Sequence, residues 1–199
     1  SVYPGNEFLF GSVCSGSEFY FGSAYFSNEF PFGSVPSGSG FLIGDDLVAT
    51  NYHVIEGSAA GQVRFPGSKA THKIEGLTAV DATRDLAIVR VSSPSGLEPL
   101  RMSGSAAPAV GDGVVVIGSP QGLEATVSTG IVSGIRQLSS GHMIQITAPI
   151  SPGSSGGPVL SHGGLVLGVS VATFRDGQSL NFAVPAQYLS RLLASSSGR

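Results

Sequence analysis

Short apolar runs recur along most of this chain: GFLIG, LVATN, QVRFP, LAIVRV, VVVIG, TGIVSGI, MIQIT, GPVLS, LVLGVSVATF and LNFAV. They are rich in Val, Ile and Leu and are bounded by Gly, Pro, Asp or Ser in turn-forming positions. Short runs with that content predict strands rather than helices, so the chain reads as all-β. Only PAQYLSRLLA (185–194) carries a helical period: Pro185 suits a first turn, and Tyr188, Leu189, Leu192 and Leu193 fall at i, i+1, i+4 and i+5. Strand character lapses over SSPSGLEPLRMSGSAAPAVG (92–111). The lapse predicts a boundary between two β-barrels, at about 38–100 and about 104–190, with a tail at 195–199. KATHKIEG, around His72, reads as a charged loop.

The first 37 residues have a different texture. NEFLFGSVCSG (6–16), SEFYFGSAYFS (17–27) and NEFPFGSVPSG (28–38) align without gaps at a period of eleven. Each copy sets two Phe two apart (Phe8/Phe10, Phe19/Phe21, Phe30/Phe32), so a strand would carry both rings on one face and Glu on the other. The Gly-Ser that follows would turn or end that strand. Residues 1–37 therefore read as an arm. Either its short edge strands pack their rings on the main body, or its aromatic stripe finds a partner in another molecule.

Composition narrows the partners more than the fold. With 199 residues, 41% of them hydrophobic, there is room for a sizeable core. Ten Lys and Arg against thirteen Asp and Glu give a net charge of −3, with no basic cluster, which argues against nucleic acid and anionic membrane surfaces as partners. The longest apolar stretches fall short of the roughly 20 residues that span a bilayer. The single cysteine, Cys14, excludes a disulfide within the chain. It lies in a repeat unit whose equivalent positions are Tyr25 and Pro36, which makes it a poor nucleophile candidate. No HExxH and no close His/Asp/Cys set is present, so neither metal nor cofactor is expected. The chain opens at Ser1 without a start Met, and any signal or transit segment is expected to lie outside it.

The chemistry begins with SPGSSGGPVL (151–160). A serine is a feeble nucleophile without a base in hydrogen-bond reach and a third group holding that base in the right tautomer. Of the four histidines, His72, His142 and His162 fall in loops or turns, whereas His53 follows directly on a strand in LVATNYHVIEG. Asp45, Asp46, Asp81, Asp85, Asp112 and Asp176 are the carboxylates that could orient it. Asp85 stands at the mouth of the strand LAIVRV, where a carboxylate could be held dry against an imidazole; Asp81, in the looser VDATR turn, reads as a surface residue. In the serine turn, Gly153 allows a bend where a side chain would clash, and Gly156-Gly157 allow close approach to Ser155. Successive N–H groups of Gly153, Ser154 and Ser155 could face one concavity and hold an oxyanion.

In the order His, Asp, Ser, the segments GSGFLI, ATNYHVIEG, RDLAIVRV, VGDGVVVIGSPQGLEATVSTGIVSGI, SPGSSGGPVL, LVLGVSVA and NFAVP resemble the HtrA/DegP branch of the trypsin-like serine proteases over about 38–194. The resemblance implies two perpendicular six-stranded barrels with a cleft between them, a triad of His53, Asp85 and Ser155, and an oxyanion hole at Gly153 and Ser155. It implies that VSVA (169–172), with Ser170, Val171 and Ala172, takes a substrate's backbone as an added strand, with Ser170 beside the catalytic Asp. Pro149, Ile150, Ser151 and Asn181 would line a pocket without a buried carboxylate, suited to Ala, Val or Leu. Two residues depart from the family's usual pattern: Ser154 stands in place of Asn, and Asn181 in place of Gly.

The activity so implied is a serine endopeptidase cutting polypeptides, unfolded ones included, through an acyl-enzyme. Its setting would be protein quality control or regulatory proteolysis in a periplasmic, extracellular or organellar compartment. The alternative is an inactive protease-fold scaffold. Relatives often form trimers through aromatic residues near the N-terminus, a role open to the Phe-rich arm, and the oxyanion turn could order only on assembly or substrate binding. No PDZ-like segment follows the resemblance in this chain.

Overall fold

The computed structural model describes residues 23–29, 38–58, 60–66, 68, 70–92, 96–104, 107–118, 126–175 and 178–196. Strands β1 (Ser23–Glu29), β2 (Gly38–Leu42), β3 (Leu47–Thr50), β4 (Ala60–Arg64), β5 (Thr71–Asp81) and β6 (Leu86–Val91) close into an antiparallel barrel in the order β1-β2-β3-β6-β5-β4. A one-turn helix, α1 (Tyr52–Ile55), follows β3. Strands β7 (Gly113–Gly118), β8 (Thr126–Leu138), β9 (Gly141–Ile146), β10 (Pro158–Ser161), β11 (Val166–Arg175) and β12 (Gln178–Pro185) close a second barrel in the order β10-β11-β12-β9-β8-β7. Helix α2 (Ala186–Ser196) then ends the described chain. None of the described helices is long and apolar enough to cross a membrane.

The unbroken apolar runs have a geometric cause. Successive side chains of a strand point to opposite faces. On β6, Val89 and Val91 enter the core of the first barrel, while Leu86 and Ile88 enter a different cluster that lies between the barrels. On β7, Val114 and Val116 enter the core of the second barrel, while Val115 and Ile117 join that same junction cluster. Both faces of these strands are covered, so LAIV and VVVI show no alternation of apolar and polar residues. Phe41, Ala49, Leu160 and Val184 add to the junction from both sides. The junction is thus a third core, and it seats one barrel's loops against the other's.

Two strands were hidden in the sequence. β5 covers the segment read as a charged loop, because register shifts between Ile74 and Gly76 and between Leu77 and Ala79 break its period of two. His72 is correspondingly a strand residue: its Nδ1–H donates to the Ser92 carbonyl at 2.7 Å, and its ring meets Phe65 edge-on at 5.4 Å. His142 is the second residue of β9 rather than the turn residue expected, and His162 sits in a turn; both are exposed.

β1 places the start of the first barrel at Ser23, inside the stretch read as a separate arm. Its register joins Ser23 to Phe41 and Phe26 to Gly38 on one side, and Phe26 to Val63 and Glu29 to Ala60 on the other. A strand therefore begins at the Gly-Ser expected to end one and crosses the junction between two repeat copies. The other repeat residues up to 37, Cys14 included, lie outside the described residues.

Residues 92–111 lie between β6 and β7, and no strand of more than a single bridge occurs there among the described residues. The segment is nonetheless pinned to both barrels. Leu100 N–H donates to Leu42 O at 2.8 Å, and Ser103 N–H to Val166 O at 2.8 Å. Helix α2 runs as expected, with Leu189 buried and Tyr188, Leu192 and Leu193 packed on the junction core.

Candidate active site

His53 projects from α1 rather than from a strand, and Asp85 is what holds α1 in place. Asp85 has φ +56, a left-handed conformation that Asp tolerates better than most residues and that no other described non-glycine residue adopts. The Asp81–Arg84 turn before it is locked from within: Asp81 accepts from the Arg84 backbone N–H at 3.1 Å and from the Arg84 guanidinium at 2.7 Å. Asp81, the last residue of β5, is therefore paired and half-buried, not the surface turn residue expected. Bent this way, Asp85 accepts the His53 backbone N–H on Oδ1 at 2.8 Å and faces His53 Nδ1 with Oδ2 at 2.6 Å. Its own carbonyl receives Asn51 Nδ2 at 2.9 Å and the Tyr52 N–H at 3.2 Å.

A carboxylate is acceptor-only, so the bond to Oδ2 puts the neutral ring's proton on Nδ1 and leaves Nε2 with its lone pair. The same hydrogen bond is the main cause of a raised His53 pKa. Desolvation opposes it, and the charges of Asp85 and Glu56 support it. The carboxylate is not dry, since 30% of the Asp85 side-chain surface remains accessible. Of the other candidate carboxylates, Asp46 pairs with Arg90, Asp112 accepts from the Ala109 N–H, Asp45 is exposed, and Asp176 lies outside the described residues.

The serine turn comes from the second barrel and is seated against the first. Gly153 and Gly156 have φ +93 and +91. Ser155 O accepts the Ser39 N–H at 2.8 Å, and Ser39 Oγ donates to Gly153 O at 2.7 Å. A Cβ on Gly156 would stand 2.2 Å from Ser39 O, 2.4 Å from Thr50 Oγ1 and 3.1 Å from Asn51 N. The turn thus lies against the end of β3 and against Asn51, two residues from His53. Gly156→Ala is expected to lower stability by at least about 2 kcal/mol, or about 4–8 °C in Tm, through strain and collision together. A thermal melt followed by circular dichroism checks it; a Tm within about 1 °C of wild type would contradict the close approach.

Several expected roles shift. Ser154 N–H donates to Ser151 O at 2.9 Å, so it is committed within the turn rather than to an oxyanion. Ser170 is fully buried, donates its Oγ to Ser154 O at 2.7 Å, and exchanges backbone bonds with Gly156 and Gly157. It supports the turn from behind and has no surface to offer a substrate. Val169 pairs with Pro158 of β10, so the free edge of β11 begins beyond Ser170. Strand alternation turns the N–H and C=O of Ala172 to the same side as those of Ser170. Val171 packs on the junction core.

Ala172 and Asn181 are cross-strand partners, and Asn181 Nδ2 donates to Ala148 O at 2.8 Å, next to Pro149. Ser128 Oγ donates to Pro149 O at 2.8 Å, Ile150 packs on the second barrel's core, and Ser151 is exposed. Ser39, Thr50 and Asn51 were given no role in the sequence because a small polar residue next to an apolar run looks like a turn, although the segments GSGFLI and ATNYHVIEG contain them.

Two barrels that present a His–Asp pair and a glycine-flanked serine at one junction define a protein of the trypsin fold class. The trypsin-like peptidase domain family matches residues 38–169, and the chain belongs to it. Among its curated relatives, Protease Do-like 1, chloroplastic, of Arabidopsis thaliana is 35% identical over 162 residues, covering 75% of this chain and 36% of that protein. Serine protease HTRA1A of Danio rerio is 36% identical over 174 residues, covering 82% and 35%. The chain spans about a third of the length of these relatives. A crystal structure of the serine endoprotease from Yersinia pestis shares the fold at a TM-score of 0.78 and 24% identity, covering 88% of this chain and 62% of that one.

Proposed function

We propose that the chain is a serine endopeptidase with Ser155 as nucleophile, His53 as general base and acid, and Asp85 as the group that orients and stabilises the imidazole. The observation that carries this reading is the 2.6 Å contact of His53 Nδ1 with Asp85, on a segment that touches the Ser155–Gly156 turn. Ser155 Oγ attacks the scissile carbonyl carbon while its proton passes to His53 Nε2. The Gly153 and Ser155 N–H groups take the developing oxyanion. His53 then returns the proton to the leaving amine, and a water molecule, deprotonated by the same ring, releases the acyl group from Ser155.

The substrate is an extended polypeptide that pairs with the free edge of β11 from Ala172 onward, which favours unfolded chains. Its side chain before the cut enters the region of Pro149, Ile150, Ser151 and Asn181. No carboxylate is among these residues, so Ala, Val or Leu fits there better than Lys or Arg. The chloroplastic relative supports a periplasmic or organellar setting, with quality-control or regulatory proteolysis as the task. Self-association through the Phe-rich residues before Ser23 completes the reading.

Treatment with a fluorophosphonate probe followed by peptide mapping is expected to place one adduct on Ser155. A peptide library should then be cut after Ala, Val or Leu at least about tenfold faster than after Lys or Arg. Absence of an adduct would leave the chain as an inactive protease-fold binding protein, and preferred cutting after basic residues would overturn the pocket assignment.

A further inference from the structure

We propose that Ser39, a residue of the first barrel, is a positioning residue that holds the oxyanion turn of the second. The proposal rests on the enzymatic reading above. Gly153 must present its N–H in one direction, yet glycine has little conformational preference of its own, so the direction has to be imposed from outside. The Gly153–Ser154 peptide that follows this N–H is fixed at both ends. Its N–H donates to Ser151 O at 2.9 Å, and its carbonyl accepts from Ser39 Oγ at 2.7 Å.

Ser39 is in turn well placed to act as an anchor. It is 1% exposed on β2, its N–H donates to Ser155 O at 2.8 Å, and its carbonyl receives Thr50 Oγ1 at 2.7 Å. It therefore grips the turn at two carbonyls that straddle Ser154, while Thr50 ties it to the strand leading to His53. Any residue but proline at this position could supply the backbone bond to Ser155. Only a hydroxyl supplies the bond to Gly153. The side chain and the main chain of one residue thus set the nucleophile and the oxyanion donor relative to each other, across the junction of the barrels.

The test compares wild type with Ser39→Ala and Ser39→Cys, the second refilling the volume with a poor donor. Read-outs are kcat and KM on a peptide substrate, affinity for a peptidyl boronate and for the corresponding product peptide, the acid limb of the pH profile, and Tm. Both variants are expected to lose about tenfold to a hundredfold in kcat, with KM within about threefold of wild type. Boronate affinity should fall in parallel, whereas product affinity and the acid-limb midpoint should stay put. An active wild type with unimpaired Ser39→Ala, full recovery in Ser39→Cys, or equal weakening of boronate and product would overturn this proposal alone. A wild-type chain that takes up no fluorophosphonate would overturn the enzymatic reading and this one with it.

Discussion

Ser155→Ala is expected to lower turnover by about 10⁴-fold or more, while Ser154→Ala keeps most of it. The two serines are neighbours in sequence but not in role. Ser155 follows the candidate oxyanion donor at Gly153 by two residues and precedes the glycine that touches Thr50 and Asn51. Removing its hydroxyl removes the atom proposed to form the acyl-enzyme. Ser154 is 7% exposed, with its side chain laid against Gly118, where a Cβ would stand 2.6 Å from Ser154 Oγ. The bonds through which it serves the turn are backbone bonds, to Ser151, Gly157 and Ser170, and Ala preserves them all. Steady-state cleavage of a casein or peptide substrate by the two variants is the measurement. If Ser154→Ala were the dead one, the nucleophile would be misassigned by one residue.

Asp85→Asn is expected to cost about 10⁴-fold in kcat and to move the acid limb of the pH profile downward. An amide can donate to Nδ1 as well as accept from it, so the ring loses its imposed tautomer and Nε2 no longer holds a dependable lone pair. His53 works as a base only when neutral. With its pKa raised above 6.5 by the bond to Asp85, wild-type activity should rise through a midpoint above that value. The variant loses the two Asp85 contributions, leaving desolvation, which lowers the pKa, and Glu56, which raises it. Its midpoint should therefore lie below that of wild type. An unchanged midpoint would mean that the carboxylate does not govern the ring.

The same pair affects stability with the opposite sign. A histidine whose folded pKa exceeds its unfolded value of 6.5 contributes stability that is fully present below 6.5 and is lost as pH rises through the folded value. The window in which activity appears is thus the window in which this contribution fades. Its size is small, because half of the His53 side-chain surface stays in water.

Much of the molecule could be read without coordinates. The recurrent Val/Ile/Leu runs between turn residues announced β-barrels, the i, i+4 spacing announced α2, and the His, Asp and Ser segments carried a resemblance that the family match bears out. These features are local or depend only on residue order. β5 escaped because two register shifts erase its alternation. β1 escaped because its pairing partners, Gly38–Phe41 and Ala60–Arg64, lie far along the chain and no local period marks them.

The amino-acid sequence by itself determined which residues could do chemistry and what kind of elements surround them, since side-chain type and short-range periodicity are properties of the chain alone. Only the tertiary structure decided how those residues are held. A left-handed Asp85 turns its carboxylate onto α1, Ser170 is buried behind the turn rather than open to substrate, and the Ser154 N–H is committed to Ser151. Ser39 and Thr50 became part of the site because the junction core brings two barrels into contact. The hydrogen bonds of Ser39 to Gly153 and Ser155 join residues more than a hundred positions apart and leave no trace in local pattern, and that separation is why this hold on the turn was legible only in the folded chain.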